Sequence, residues 1–417
     1  MKYVIFEDNK YTNLYPLNLL RASFDLKAGV FSMKERIERY LPVGESVTLF
    51  VRDELAKLAK SNNKNPVNQI PDEDAVFLNG RVVYSQRFLN WIINDMSMNS
   101  VLFSDNNVIA AKISKDEINK RRENLKYCME KPFFEGLKNI NNTNYNFENI
   151  FEIINYPWDI IKSLDINLGF DLSFLIDSVK GQERNEEVSQ ENDNNYVSPT
   201  AKVYPGVILD TVGGEIFIDE NAVVEPLVYI KGPVYIGRNA LVKSGSRLYG
   251  PCSIGHSSKV SGEISGSVFH SCVNKQHDGF IGNTYASPFV NFGADTVTSN
   301  LKNNYSKVRV MFEGKSFDTG LQFLGSIVGD HAKFGINTML NTGTTCGIFA
   351  NVAGGGFPDK SIGSFEWNIL GKEKSLYRLD EALETAKAVM KRRGFEMTEE
   401  YKELVKFIYE KANSRVV

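Results

Sequence analysis

Residues 218–260 read IDENAVVEPLVYIKGPVYIGRNALVKSGSRLYGPCSIGHSSKV, and this stretch decides the fold of the C-terminal half. Every sixth residue from Ile218 is aliphatic: Val224, Ile230, Ile236, Val242, Leu248, Ile254 and Val260. A helix would repeat at about 3.6 residues and a two-faced strand at about 2. Six is a multiple of two, so an antiparallel sheet is the competing reading. It fails because the segment lacks the short loop clusters that hairpins require. A three-sided solenoid needs one flat strand per side and a sharp corner every six residues. One side chain per side then points inward and stacks on its equivalents in neighbouring coils. Gly, Asn, Asp and Ser suit the corners, because they tolerate turn conformations that β-branched residues do not. Upstream, Val197, Val203 and Leu209 keep the spacing, with a slip near Gly213-Gly214; downstream, Val328, Phe334, Leu340, Cys346 and Val352 resume it. The stretch from about 197 to 352 therefore predicts a left-handed parallel β-helix built on hexapeptide repeats.

Working outward, the chain has 417 residues, too many for one ordinary core. Residues 1–180 alternate strand-like runs (Tyr3–Phe6, Val47–Val51, Val76–Leu78, Val108–Ala111) with helical patterns (Ser32–Tyr40, Asp53–Lys60), which predicts an α/β domain with a mostly parallel sheet. Residues 181–195 are almost wholly polar and read as a linker. The coil would occupy 196–368 and a helical tail 369–417. In that tail, Asp380–Arg393 is stopped by Gly394, and Thr398 caps a second helix with Leu404, Phe407 and Ile408 on one side. The formal net charge of -3 gives no basic excess for nucleic acid or an anionic membrane. Cys128, Cys252, Cys272 and Cys346 have no metal or disulfide spacing and read as reduced thiols of a cytoplasmic protein. The N-terminus lacks the apolar core of a signal peptide, and no run is long enough to span a membrane.

Chemistry is expected where the aliphatic rhythm stops, in NKQHDGFIGN (274–283) and VNFGADTVTSNL (290–301). A neutral imidazole at His277 can take a proton from an amine nucleophile. Asn291 and Asn300 offer amides to orient a substrate. From spacing alone the blander reading stands ahead: His277 as a corner residue and the asparagines as corner ladders.

The coil together with these two segments resembles the bifunctional GlmU-type enzymes. In that family a sugar nucleotidyltransferase domain precedes a β-helix acetyltransferase. Its motif is a His, then Tyr-Leu-Gly, then Asn-Ile-Gly-Ala-Gly-Thr, then a second Asn. Here the matching positions are His277, Phe280-Ile281-Gly282, Asn291 to Thr296, and Asn300. The resemblance implies that His277 is the general base, that Asn291 and Asn300 contact the sugar, and that acetyl-CoA is the co-substrate. The acceptor would be an amino-sugar phosphate of the glucosamine 1-phosphate kind. Phe280 replaces the family tyrosine and Ser265 falls at a family lysine; Lys243 matches another family cation that grips phosphate, and Lys275 is expected to compensate for the missing one. Leu301–Gly325 is longer than the family connection and is expected to form a hairpin-like excursion beside the site. The family also implies a homotrimer and a role in nucleotide-sugar supply for the cell envelope.

For residues 1–180 the resemblance implies a Rossmann-like nucleotidyltransferase domain taking a UTP-like nucleotide. Leu14-Tyr-Pro-Leu17, Arg21, Asn79-Gly80-Arg81 and Tyr156-Pro-Trp-Asp159 resemble a divergent branch of sugar nucleotidyltransferases. The family's Gly-rich phosphate loop is missing after Phe6, which leaves Arg21 and Lys27 as the nearby cations and Asn79 as a candidate contact. Arg81 stands where the family carries a metal-binding Asp, so Mg²⁺ is expected only if this domain is active. The alternative is a nucleotide-sugar-binding or scaffold protein with a catalytically silent N-terminal domain.

Overall fold

The structure is a computed structural model that describes residues 1–122, 131–140, 151–183, 194–312 and 314–413. Most of the expected linker, and Cys128, lie outside the described residues. The chain forms two compact units, one of Met1–Leu26, Phe31–Tyr156 and Glu399–Phe407, the other of Lys27–Val30, Pro157–Thr398 and Ile408–Val417.

The first unit is built on β1 (Lys2–Phe6), β2 (Val47–Phe50), β3 (Ala75–Asn79), β4 (Val82–Tyr84), β5 (Ser100–Ser104), β6 (Asn107–Ile113), β7 (Lys138–Ile140) and β8 (Phe151–Ile153). Six of these form one sheet in the order β2-β1-β3-β6-β5-β7. β1 runs parallel to β2 and β3, as their continuous apolar runs predict. β6 runs antiparallel to both β3 and β5, so the sheet is more mixed than the sequence suggested. β4 and β8 form a separate antiparallel pair. Val4, Phe6, Phe50, Phe77, Phe133 and Phe134 fill one core cluster against the sheet. Helix Met33–Tyr40 starts where Ser32 caps it, with reciprocal Ser32–Glu35 hydrogen bonds. The chain leaves β1 for one neighbour (β2) and returns to the other (β3), so a topological switch point lies between β1 and β3. In open α/β sheets this is where ligands bind, beyond the carboxyl ends of the strands.

The second unit contains a three-sided parallel solenoid. Its sides are a 10-stranded, a 7-stranded and a 9-stranded sheet among the described residues. All eight residues of the column Ile218 to Val260 are fully buried in one core. Val328, Phe334, Leu340, Cys346 and Val352 continue it. Val197 pairs with Ile218 but remains 37% exposed, because among the described residues no coil precedes the first to cover that end. The column does not stop at Val260. It runs on through Ile264, Phe269, Lys275, Ile281, Ala286, Phe292 and Thr298, paired coil to coil. What changes is coil length: Ile236 pairs with Ile254, but Ile254 pairs with Phe269, a shorter step. Corners lose residues there, and a strict count of six loses the register.

One corner column is left-handed in every coil after the first: Asn221, Asn239, Ser257, Cys272, Phe289, His331, Phe349 and Phe365 have φ between 55° and 63°. Asn and Ser adopt this readily; bulky residues pay about 1–2 kcal/mol. In the later coils stacking offsets that cost. Ring centroids are 4.9 Å apart for Phe289–His331, 4.7 Å for His331–Phe349 and 5.0 Å for Phe349–Phe365. Large rings at corners are the opposite of the small polar residues expected there. Helix Leu379–Arg392 ends at Gly394 (φ +78°), and Phe395 then packs edge-on against Phe289 at 5.7 Å. In helix Glu399–Asn413, Leu404, Val405 and Ile408 are buried, whereas Phe407, expected inside, is 37% exposed. The excursion after Leu301 does contain a hairpin, Arg309–Phe312 against Lys315–Asp318. Leu324 N–H donates to Asn300 O at its base, and Thr345 Oγ1 donates to Met311 O.

Candidate active site

In the coil that begins at Asn274, strand Asn274-Lys275 leads to a corner at Gln276–Gly279 and then to strand Phe280–Gly282. His277 sits at that corner and is exposed. Its imidazole has no hydrogen-bond partner among the described residues. The corner is stacked between its neighbours: Glu263 N–H donates to Gly279 O at 3.0 Å, and Asp295 N–H to Asp278 O at 2.9 Å. Val242, Val260 and Lys275 are paired in successive coils, so Lys243 falls in the same corner column as His277, two coils earlier.

Asn291 lies on the next coil, paired with Asn274. Asn274 Nδ2 donates to Asn291 Oδ1 at 2.7 Å, and Gln276 Nε2 donates to Asn274 Oδ1 at 2.6 Å. This leaves the Asn291 amide N–H groups for a ligand. Asn300 lies one side further round, where its Nδ2 donates to Asn283 Oδ1 at 2.8 Å. Phe280 and Asn300 meet over Gly282: a Cβ there would come within 2.6 Å of both the Phe280 ring and the Asn300 amide. Both asparagines thus do form coil-to-coil ladders, as the blander reading expected, and each ladder still leaves polar atoms free to bind. Sequence reasoning missed Asn274, Gln276 and Asn283. The equal spacing of the pairs 274/291 and 283/300 is the signal that would have found them.

Lys275 differs from expectation. It is fully buried, at an inward position, and its ammonium donates to the main-chain carbonyls of His277 and Asp278. Burial lowers its pKa to about 8, with Asp278 and Asp295 opposing. A side chain so placed is not a phosphate contact. The positive charge near the coil surface comes from elsewhere. The ammonium of Lys259 is shifted down by burial and then by Arg393, Arg392 and Lys243, three cations close enough to repel it. Arg393 is anchored there by donating from Nη1 to Ser257 O at 2.7 Å. Nothing in the sequence signalled that the end of a distant helix would reach this part of the coil.

At the switch point of the first unit, two arginines are buried on two carboxylates. Arg81 is fully buried; its Nε donates to Asp8 Oδ1 at 2.7 Å and Nη2 to Asp8 Oδ2 at 2.6 Å. Its remaining donors go to Ile154 O, Asn155 Oδ1 and Asn107 Oδ1. Asn79 is buried beside it and donates to Asp8 Oδ2 and Val108 O. Arg52 donates to Glu7 Oε1 at 2.8 Å. A Cβ on Gly80 would lie 2.7 Å from the Phe24 ring, so the crevice is packed as well as paired. Mg²⁺ is held through one or two carboxylates, with waters and substrate phosphates completing its shell. Here the nearest carboxylates are neutralised by guanidinium groups, and the residues do not fit the ion. Among the described residues no group of three or more His, Cys, Asp or Glu could hold a metal. Arg21 donates to Leu17 O, and Lys27 belongs to the other compact unit, where its N–H donates to Tyr285 Oη. The two expected phosphate cations are therefore not brought together within one unit.

A family model described as sugar nucleotidyl transferase matches residues 3–180. The chain is 31% identical over 158 residues to a bifunctional sugar-1-phosphate nucleotidylyltransferase/acetyltransferase of Sulfurisphaera tokodaii, covering 37% of this chain and 39% of that protein. It is 32% identical over 198 residues to the bifunctional protein GlmU of one Methanococcus maripaludis strain, covering 46% of each. With GlmU of another strain it shares 30% identity over 387 residues, covering 83% of this chain and 92% of that one. The matched stretch thus spans less than half the length of the first two relatives and nearly all of the third. No described helix is long and apolar enough to cross a membrane.

Proposed function

This chain belongs to the family of bifunctional GlmU proteins, and we propose that its solenoid unit transfers an acetyl group from acetyl-CoA to the amine of an amino-sugar phosphate. The observation that carries the reading is the His277 corner, exposed and rigidly stacked, with Asn291 on the adjoining coil. The amine nitrogen attacks the thioester carbonyl carbon, and His277 takes the proton that the nitrogen loses. The C–S bond breaks and coenzyme A leaves as the thiol after gaining a proton, so no acyl-enzyme is needed. Asn291 N–H groups and Asn300 Oδ1 hold sugar hydroxyls. Lys243, Lys259 and the two arginines after the solenoid supply the field that draws in the phosphate. The protein is a cytoplasmic homotrimer in this reading, and light scattering that returns a monomer would sink the assembly.

The first unit has the fold of a sugar nucleotidyltransferase, but the paired and packed switch point favours its being catalytically silent. It would then bind a nucleotide sugar or serve as a scaffold, without a metal.

The test is thiol release from acetyl-CoA in the presence of glucosamine 1-phosphate. The protein's own buried thiols do not interfere: burial raises Cys252 to about 12 and Cys272 to about 11, and pushes Cys346 up as well. These three are expected to stay silent toward a thiol reagent until the chain is unfolded. Saturable release that depends on the amine supports the reading. No release with any amino-sugar phosphate defeats it.

A further inference from the structure

We propose that Lys275 is a positioning residue, a buried ammonium that holds the His277–Gly279 corner from inside the coil. This rests on the reading of His277 as the base. Position 275 pairs with Val260 and belongs to the inward column, where Ile236, Val242, Leu248, Ile254, Val260 and Phe269 are all apolar. A lysine there takes a charge out of water and must find acceptors inside. No carboxylate among the described residues is hydrogen-bonded to it. Its acceptors are two consecutive main-chain carbonyls, those of His277 and Asp278.

The dependence is mutual. Main-chain carbonyls turned toward an apolar interior are costly unless a donor reaches them. Asp278 O also accepts from Asp295 N–H, so that carbonyl is shared between the neighbouring coil and the ammonium. Gly279 completes the arrangement with φ +133°, a conformation reserved for glycine, and a Cβ on it would approach Lys275 Nζ to 3.2 Å. His277 therefore projects from a turn whose carbonyls are fixed by the Lys275 amine and whose outer edges are fixed by the adjoining coils. Since its imidazole has no partner of its own, the main chain is what sets its position. An apolar residue at 275 would serve the core better, so the lysine breaks the local rule where a site needs rigidity.

The experiment uses the full chain with Lys275→Met, an unbranched replacement that fills the column without donating. We expect little change in Tm, because relief of a buried charge and loss of the donor to two carbonyls act in opposite directions. We expect kcat for acetyl transfer to fall about 10- to 100-fold, in line with the cost of a misplaced catalytic group. KM for acetyl-CoA and for glucosamine 1-phosphate should stay within about threefold, because neither substrate loses a contact. Amide hydrogen exchange over residues 276–280 should quicken in the variant. In Lys275→Ala, propylammonium should restore part of kcat, and propanol of similar size should not. The proposal is overturned if Lys275→Met keeps kcat within about threefold of wild type, or if activity falls with exchange at 276–280 unchanged. A wild type that does not acetylate any amino-sugar phosphate, with faster exchange in the variant, instead defeats the reading of the base and leaves the pinned corner standing.

Discussion

Replacing His277 with alanine is expected to lower kcat for acetyl transfer by about 100- to 10,000-fold, with KM for both substrates nearly unchanged. The size follows from its role. An amine attacking a thioester must shed a proton as the C–N bond forms, and without a positioned base that proton goes to water. A neutral imidazole suits the task because its ring nitrogen can accept that proton. The neighbouring amides and the buried amine do not offer a substitute. Asn274, Asn291 and Gln276 carry amides, which do not take protons at neutral pH, and the Lys275 amine is committed to carbonyls inside the coil. Folding should be unaffected, since His277 is exposed and its ring bonds to nothing among the described residues. Steady-state kinetics on wild type and variant decide the matter. A variant within threefold of wild type would remove His277 as the base.

The second large effect is on stability. Arg81→Met is expected to destabilise the first unit by about 3–5 kcal/mol, the usual cost of stranding one member of a buried ion pair. At about 2–4 °C per kcal/mol for a unit of this size, its thermal transition should drop by roughly 10 °C. The loss is large because Arg81 is fully buried and satisfies five acceptors on four residues at once: both oxygens of Asp8, and oxygens of Asn107, Ile154 and Asn155. Asp8→Asn in the Arg81→Met background should recover part of the loss, because the stranded charge is then gone. If Arg81→Met unfolds at the wild-type temperature, the pair is not the lock described. The same geometry bears on activity. With UTP, Mg²⁺ and N-acetylglucosamine 1-phosphate, the wild type is expected to release no pyrophosphate above the blank. Robust Mg²⁺-dependent release would overturn the silent reading of the first unit.

Arg81 shows how far a sequence carries such an argument. Its position in Asn79-Gly80-Arg81 was enough to doubt a metal, since a guanidinium does not coordinate Mg²⁺. That it pairs with Asp8, distant in the chain, required the β1–β3 register that brings Phe6 beside Asn79. The site in the solenoid divides the same way. His277, Asn291 and Asn300 were found by motif, and their partners Asn274 and Asn283 only by stacking. Lys275, expected to contact phosphate, is buried instead. Its residue type is polar, and only the shortened coil reveals that position 275 points inward.

The sequence by itself determined the solenoid, because a period of six is a local property: each side chain's direction follows from its place in its own short strand. It also determined the order of the elements and the corner where His277 sits. Tertiary structure decided what the period does not encode. It fixed which coil each residue stacks on once corners shorten, which lysine is buried, and which arginine is spent on a carboxylate instead of a phosphate. These depend on contacts between residues far apart in the chain, and a charged side chain's role is set by the partner it meets in space. The coil of 218–260 was therefore legible from its own letters, and the state of the Lys275 ammonium beneath His277 was not.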